Sequence, residues 1–225
     1  KALKDTGKPL IVVLINGKPL TIPWVKENAD AVIEAWNPGM EGGKALASIL
    51  FGDYNPCGKL TISFPEHVGQ LPVYYNQLPG WHTDRYQDMT AKPLYPFGYG
   101  LSYTTYEYSN LRINKNKLKV EDTLKVYVDV ENTGDREGIE IVQAYINDKY
   151  SSVTTPIKEL KGFTRLQLEP GEKKTAEIDI AINSLSLVTR ELKEIVEPGS
   201  FELMVGSSSK DEDLLKNEFI VVADG

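Results

Sequence analysis

From about Tyr106 onward the apolar residues fall on alternate positions, and no other feature of this 225-residue chain narrows its fold so far. Leu124, Val126, Val128 and Val130 alternate with Lys125, Tyr127, Asp129 and Glu131. Ala176, Ile178 and Ile180 alternate with Thr175, Glu177 and Asp179; Phe201, Leu203 and Val205 alternate with Glu202 and Met204. A β-strand turns successive side chains to opposite faces, so each run predicts a strand with one dry and one wet face. Turn formers separate the runs, at Asn132-Thr133-Gly134, Glu169-Pro170-Gly171 and Glu197-Pro198-Gly199. About 120 residues with some seven such strands predict an immunoglobulin-like β-sandwich. Cys57 is the only cysteine, so that sandwich would hold no internal disulfide.

The first 65 residues obey a different rule. Leu10 to Ile15 is a continuous apolar run, as in a parallel strand covered on both faces. Asn16-Gly17-Lys18-Pro19 turns the chain, Pro23 suits the first position of a short helix through about Asn28, and Ala31 to Trp36 reads as a second strand. Pro38-Gly39 and Gly42-Gly43 bracket a turn. Ala45, Leu46, Ile49 and Leu50, three or four apart, predict a helix between Glu41 and Phe51. Glu41 falls in its first turn, where a negative charge suits the helix dipole, and Gly52 in the place of a left-handed cap. After a turn at Asp53, Asn55, Pro56 and Gly58, Leu60, Ile62 and Phe64 alternate with Thr61 and Ser63 as a half-buried strand. The predicted order is therefore βαβαβ followed by all-β. Three strands are few for an open parallel sheet, which averages about five or six, so further strands are expected outside this chain.

Between the two regimes, Glu66 to Lys92 reads as a long loop containing Tyr74, Tyr75, Trp81, His82, Asp84, Arg85 and Tyr86. Tyr95 to Tyr103 is aromatic and rich in Gly and Pro, an ordered connector rather than a flexible linker. The net charge of −7 argues against nucleic acid, whose phosphates demand a basic patch. No apolar run approaches the roughly 20 residues needed to span a bilayer. One thiol cannot build a cysteine metal site, and it leaves the compartment, cytoplasmic or secreted, undecided.

Several blocks together carry a resemblance. The stretch WNPGMEGGKAL…ILFGDYNPCGKLTISFP (Trp36 to Pro65), then Leu71 to Asn76, Pro93 to Thr104, Glu131 to Gly134 and Val196 to Gly199, resemble in order the C-terminal part of glycoside hydrolase family 3, which includes β-glucosidases and β-xylosidases. The resemblance implies that residues 1–104 are the remainder of an α/β-sandwich domain with its rim loop and connector, and residues 105–225 a fibronectin-III-like β-sandwich. It implies retaining hydrolysis of terminal β-D-glucosyl or β-D-xylosyl residues in the intact enzyme, on a β-linked oligosaccharide or aryl β-glycoside, without metal or organic cofactor. Retaining hydrolysis needs two carboxyl groups about 5–5.5 Å apart. In the family the nucleophilic Asp lies in a Ser-Asp-Trp-like motif of an N-terminal (β/α)₈ barrel, and the acid/base Glu lies before the strand equivalent to Leu10–Ile15. Neither is found here, so both are expected upstream of residue 1, in a covalent or separate partner, and no catalytic, cofactor or metal residue is assigned.

The remaining candidates all have structural readings. Glu41 serves as a surface carboxylate at a helix start, Asp53 and Asn55 as turn formers, and Gly171-Glu172 as a sandwich turn. His82, Asp84 and Arg85 offer a rim contact to sugar, a salt bridge, or proton transfer. Trp81, Tyr86, Tyr74 and Tyr75 could stack on a pyranose or pack on a neighbouring domain. Tyr95 and Tyr99 would join the α/β part to the sandwich, and Lys210 to Asp213 would form a solvated turn. The rival reading is a non-catalytic carbohydrate-binding or adhesion module, since a fibronectin-like fold serves many purposes.

Overall fold

The computed structural model describes residues 1–80 and 88–223, which are mostly strand with few helices. Strand β1 (Ile11–Leu14) lies parallel to β2 (Ala31–Glu34), in register from Ile11 opposite Ala31 to Leu14 opposite Glu34. Helix α1 (Pro23–Asn28) crosses between them and starts on proline, whose missing N–H costs nothing at a helix N-terminus. Helix α2 (Gly42–Leu50) follows. Its end is marked by Gly52 at φ +82, a left-handed backbone that glycine adopts without steric cost.

Ten further strands follow: β3 (Tyr106–Ile113), β4 (Lys117–Leu118), β5 (Thr123–Asn132), β6 (Gly138–Asp148), β7 (Glu159–Leu168), β8 (Lys173–Ala181), β9 (Leu187–Val188), β10 (Glu194–Ile195), β11 (Gly199–Gly206) and β12 (Leu214–Val221). One sheet has the order β4-β12-β11-β6-β7 and another β3-β5-β8, while β9 and β10 form a small hairpin. The predicted alternation decides which faces meet. Leu124, Val126, Val128 and Val130 of β5 join Val142, Ala144 and Ile146 of β6 and Phe201, Leu203 and Val205 of β11 in one buried core. Phe201 stacks on Phe219 of β12 at 5.4 Å between ring centroids.

Four expectations need correction. Leu60 to Phe64 is not a strand: its backbone bonds the connector instead, Leu60 N–H to Tyr99 O, Phe64 N–H to Tyr95 O, Leu94 N–H to Phe64 O and Gly98 N–H to Leu60 O. Pro65, Pro93 and Pro96 have no N–H to donate, which limits this pairing to an isolated bridge between Phe64 and Tyr95. Burial there is also the reverse of an alternation, with Ser63 and Phe64 buried and Ile62 exposed. Gly42 and Gly43 do not bracket a turn but open α2, and the buried Gly42 lies so close to the Pro38 ring that a Cβ there would come within 2.6 Å of it. Glu41 consequently occupies the N-cap position rather than the first turn, with no side-chain capping bond. Finally, Met204 does not face water; it is 1% exposed.

Met204 is buried because the connector lies across the outer face of the five-stranded sheet. Phe97 stacks on Tyr75 at 4.1 Å, and both rings meet Tyr145 edge-on. Together with Leu160 they cover Tyr145, Met204 and Leu214 as a second apolar cluster. Gly98 allows the approach. It sits at φ +78, and a Cβ there would overlap Gln143 Oε1. The Gln143 amide donates to Gly98 O at 3.1 Å and to Ser207 O at 2.6 Å, and accepts from the Tyr145 hydroxyl at 2.5 Å.

Candidate functional site

In open parallel sheets, ligands bind in the crevice outside the carboxyl ends of the strands. Here those ends are tied together by Glu34. Its carboxylate accepts from the Trp36 backbone N–H at 2.8 Å and from Asn16 Nδ2 at 3.3 Å, while Asn16 N–H donates to Trp36 O. Trp36 is one of three described non-glycine residues at positive φ, here +50, a conformation that persists only where its surroundings hold it. The two Glu34 bonds and the Phe64 ring, 6.0 Å from the indole, supply that hold. Beyond this anchored end the chain projects Met40, fully exposed, and Glu41, also exposed. The arrangement is a rigid ledge carrying a solvent-facing carboxylate. The Glu34 carboxylate is occupied in the hydrogen bonds just described.

The structure separates the other candidates. Trp81, His82, Asp84, Arg85 and Tyr86 lie outside the described residues. Tyr75 is a packing residue, stacked on Phe97 with its hydroxyl accepting from the Leu160 N–H at 3.2 Å. Tyr74 is 58% exposed. Tyr95 packs edge-on to Phe64 and stacks on Tyr99, with Lys26 Nζ over its face at 5.2 Å. Burial pushes both phenols above their ordinary pKa. The ring that docks onto Tyr145 is Phe97, which lies between them in sequence. Asp53 is exposed, but Asn55 does more than turn the chain. Its Nδ2 donates to Glu137 O, and its Oδ1 accepts from Ser102 Oγ and the Tyr103 N–H, bridging three segments. Cys57 lies 3.7 Å from the Tyr54 hydroxyl and 4.0 Å from Arg165. Gly171 and Glu172 form the β7–β8 turn. Within Lys210 to Asp213 the exposed Asp211 holds the buried Lys158 ammonium at 2.5 Å.

Sequence reasoning also missed a buried charge cluster. Lys59 Nζ lies 3.2 Å from both oxygens of Glu140 on β6, and the Tyr108 hydroxyl of β3 donates to the same carboxylate at 2.7 Å. Burial raises the Glu140 carboxyl despite the lysine, and burial together with Glu140 drives the Tyr108 phenol well above its usual range. The signal in the sequence was a carboxylate on the inward face of β6, in step with Val142 and Ala144; only the tertiary structure supplies its partners, Lys59 and Tyr108. Asn132, in the Asn-Thr-Gly turn, is likewise fully buried. It accepts from Thr104 Oγ1 and the Gly134 N–H, and donates to Arg136 O and Leu168 O. Among the described residues no three of His, Cys, Asp and Glu cluster closely enough to hold a metal ion.

The glycosyl hydrolase family 3 C-terminal domain matches residues 1–103, and a fibronectin type III-like domain matches residues 140–209. The chain is 46% identical over 217 residues to a β-xylosidase of Formosa agariphila, covering 95% of this chain and 30% of that protein. It is 46% identical to a periplasmic β-glucosidase of Salmonella typhimurium, covering 92% of this chain and 28% of that protein. Among solved structures, a β-glucosidase from Erythrobacter marinus superposes with a TM-score of 0.92 at 41% identity, over 98% of this chain and 29% of the other. A β-glucosidase from Listeria innocua, solved with glucose, superposes at 0.89 and 37% identity, over 98% and 32%. The chain thus spans about 30% of the length of the curated relatives it matches. With the family's C-terminal domain in its first 103 residues and its relatives aligned across nearly all of the rest, the chain belongs to glycosyl hydrolase family 3.

Proposed function

We propose that this chain is the C-terminal portion of a retaining β-glycosidase that hydrolyses terminal non-reducing β-D-glucosyl or β-D-xylosyl residues. The observation that carries the reading is the alignment of 92–95% of the chain with a β-xylosidase and a β-glucosidase of which it spans less than a third. Residues 1–104 serve as the remainder of an α/β-sandwich domain, and residues 105–225 as a fibronectin-III-like β-sandwich. The substrate is a β-linked oligosaccharide or an aryl β-glycoside. The nucleophilic Asp and acid/base Glu come from the barrel and sandwich portions outside these residues, and no residue of this chain is catalytic or holds a metal or cofactor.

The role of this chain is then to support and shape. The Glu34–Trp36–Asn16 anchor fixes the carboxyl ends of β1 and β2, the ledge at Met40 and Glu41 contributes to the cleft rim, and the seam through Phe97, Gln143 and Glu140 braces the assembly. An accurately held rim matters because misplacing a substrate by about 1 Å can cost about 10²-fold in rate. The test is an assay of the 225-residue chain and of the enzyme that contains it on paired aryl β-glucoside and β-xyloside substrates. Turnover only when the remaining portions are present is the expected result; robust turnover by the 225-residue chain overturns the assignment.

A further inference from the structure

The turn after β1 holds the one Asn-Gly pair in the sequence, Asn16-Gly17. In such a pair the glycine backbone nitrogen can attack the asparagine side-chain carbonyl, because no Cβ crowds its approach. Two features of this turn favour the attack. The nucleophile is free: Gly17 is exposed, and its N–H makes no hydrogen bond among the described residues. The electrophile is held and polarised. Asn16 Oδ1 accepts from the Lys18 N–H at 3.1 Å, closing a side-chain turn around the Gly17 peptide and drawing electrons from the amide carbon. In the reaction a bond forms between Gly17 N and Asn16 Cγ, and Nδ2 departs as ammonia with the proton that Gly17 gives up. One water then opens the five-membered imide, leaving aspartate or its isomer, whose backbone runs through the side-chain carboxyl. Nothing is oxidised or reduced.

The consequence follows from what the departing nitrogen touches. Asn16 Nδ2 lies 3.3 Å from Glu34 Oε2, and the other Glu34 oxygen accepts from the Trp36 N–H at 2.8 Å. That carboxylate is part of what holds Trp36 at φ +50, a conformation that persists only under such constraint. Once the amide becomes a carboxylate, a donor facing Glu34 is replaced by a second negative charge, and two carboxylates at such a distance do not both stay ionised and in place. Glu34 must turn away or share a proton, and either weakens its hold on Trp36. We infer that Asn16 is a site of spontaneous deamidation whose acidic product releases the Glu34 anchor of Trp36, loosening the ledge at Met40 and Glu41 as the protein ages. The inference rests on the geometry of the anchor and does not depend on the proposed hydrolysis.

The test is peptide mapping by mass spectrometry of the full 225-residue chain during incubation in mildly alkaline buffer, with the same chain in urea as the unstructured reference. Asn16 should convert to a mixture of aspartate and isoaspartate ahead of every other asparagine. Gly17→Ala should slow the conversion about tenfold or more. A Cβ there would lie 3.6 Å from Asn37 Nδ2, an ordinary contact, so this variant keeps the fold. Asn16→Asp, which makes the product directly, should speed hydrogen exchange of the Trp36 amide about tenfold. The double variant N16D/E34Q again pairs one amide with one carboxylate and should return that exchange toward wild type. No conversion of folded Asn16 by the time the urea reference has converted, or Trp36 exchange that Asn16→Asp leaves unaltered, overturns the inference.

Discussion

Replacing Lys59 by methionine should destabilise the protein by about 3–5 kcal/mol at neutral pH, the usual cost of removing one partner of a buried ion pair. The Lys59 side chain is 12% exposed and that of Glu140 only 3%. At 3.2 Å and an effective dielectric constant of about 20, their attraction is worth about 5 kcal/mol, most of which offsets the desolvation of the two ions. In K59M that desolvation stays and the attraction goes, leaving the Tyr108 hydroxyl as the one remaining side-chain partner. The loss should shrink as the pH falls. Burial already raises the Glu140 carboxyl in the folded state, and without Lys59 it rises further. A folded-state carboxyl raised above its unfolded value of about 4.3 makes the native state the better proton binder, so stability grows as pH falls from the raised value toward the unfolded one. Urea unfolding of wild type, K59M and K59M/E140Q at pH 7 and pH 5 reads both effects. The double variant, whose neutral amide still accepts from Tyr108, should recover most of the loss. A K59M cost below about 1 kcal/mol, or an equal cost at the two pH values, would refute the reasoning.

Met204→Ala should cost about 2–3 kcal/mol in the same unfolding assay, whereas Glu202→Ala should stay within about 0.5; equal small effects would mean the connector does not cover this face. Gly98→Ala forces a side chain into a left-handed backbone and against Gln143, so a loss of about 2 kcal/mol is expected, together with faster hydrogen exchange at Phe97 to Tyr99. Hydrogen bonds from Asn110 and Thr175, then the Arg112 guanidinium, hold the Asp129 carboxyl at about 2. Because that value is depressed, its stabilisation is present above the unfolded pKa of 3.8 and is lost as the pH falls toward 2; D129N should flatten the acid limb of the stability curve across that window.

Much of the fold was legible because it rests on local periodicity. Pro23 opens α1, the apolar runs at Leu10 and Ala31 became the β1–β2 pair, and Leu124 to Val130, Ala176 to Ile180 and the odd residues of β11 all point into one core. The ledge at Met40 and Glu41 was partly legible: the sequence places Glu41 at a helix start but does not show that Trp36 takes a positive φ or that Glu34 anchors it. The failures share a cause. Leu60 to Phe64 carries a strand's pattern but found its hydrogen-bond partners in a proline-rich connector. Gln143, Tyr145 and Met204 lie on strand faces that look wet until a segment some forty or more residues away in sequence covers them, and Glu140 is a carboxylate on an inner face whose partner, Lys59, comes from a segment equally distant.

By itself, then, the sequence determined the kind of element over most of the chain and the inner faces of β5, β8 and β11, since a period of two or three to four is a property of neighbours along the chain. Only the tertiary structure decided which outer faces are dry, where Lys59 meets Glu140, and that Asn16 faces Glu34. Those are contacts between residues distant in the chain, and burial by a distant segment leaves no local periodicity to read.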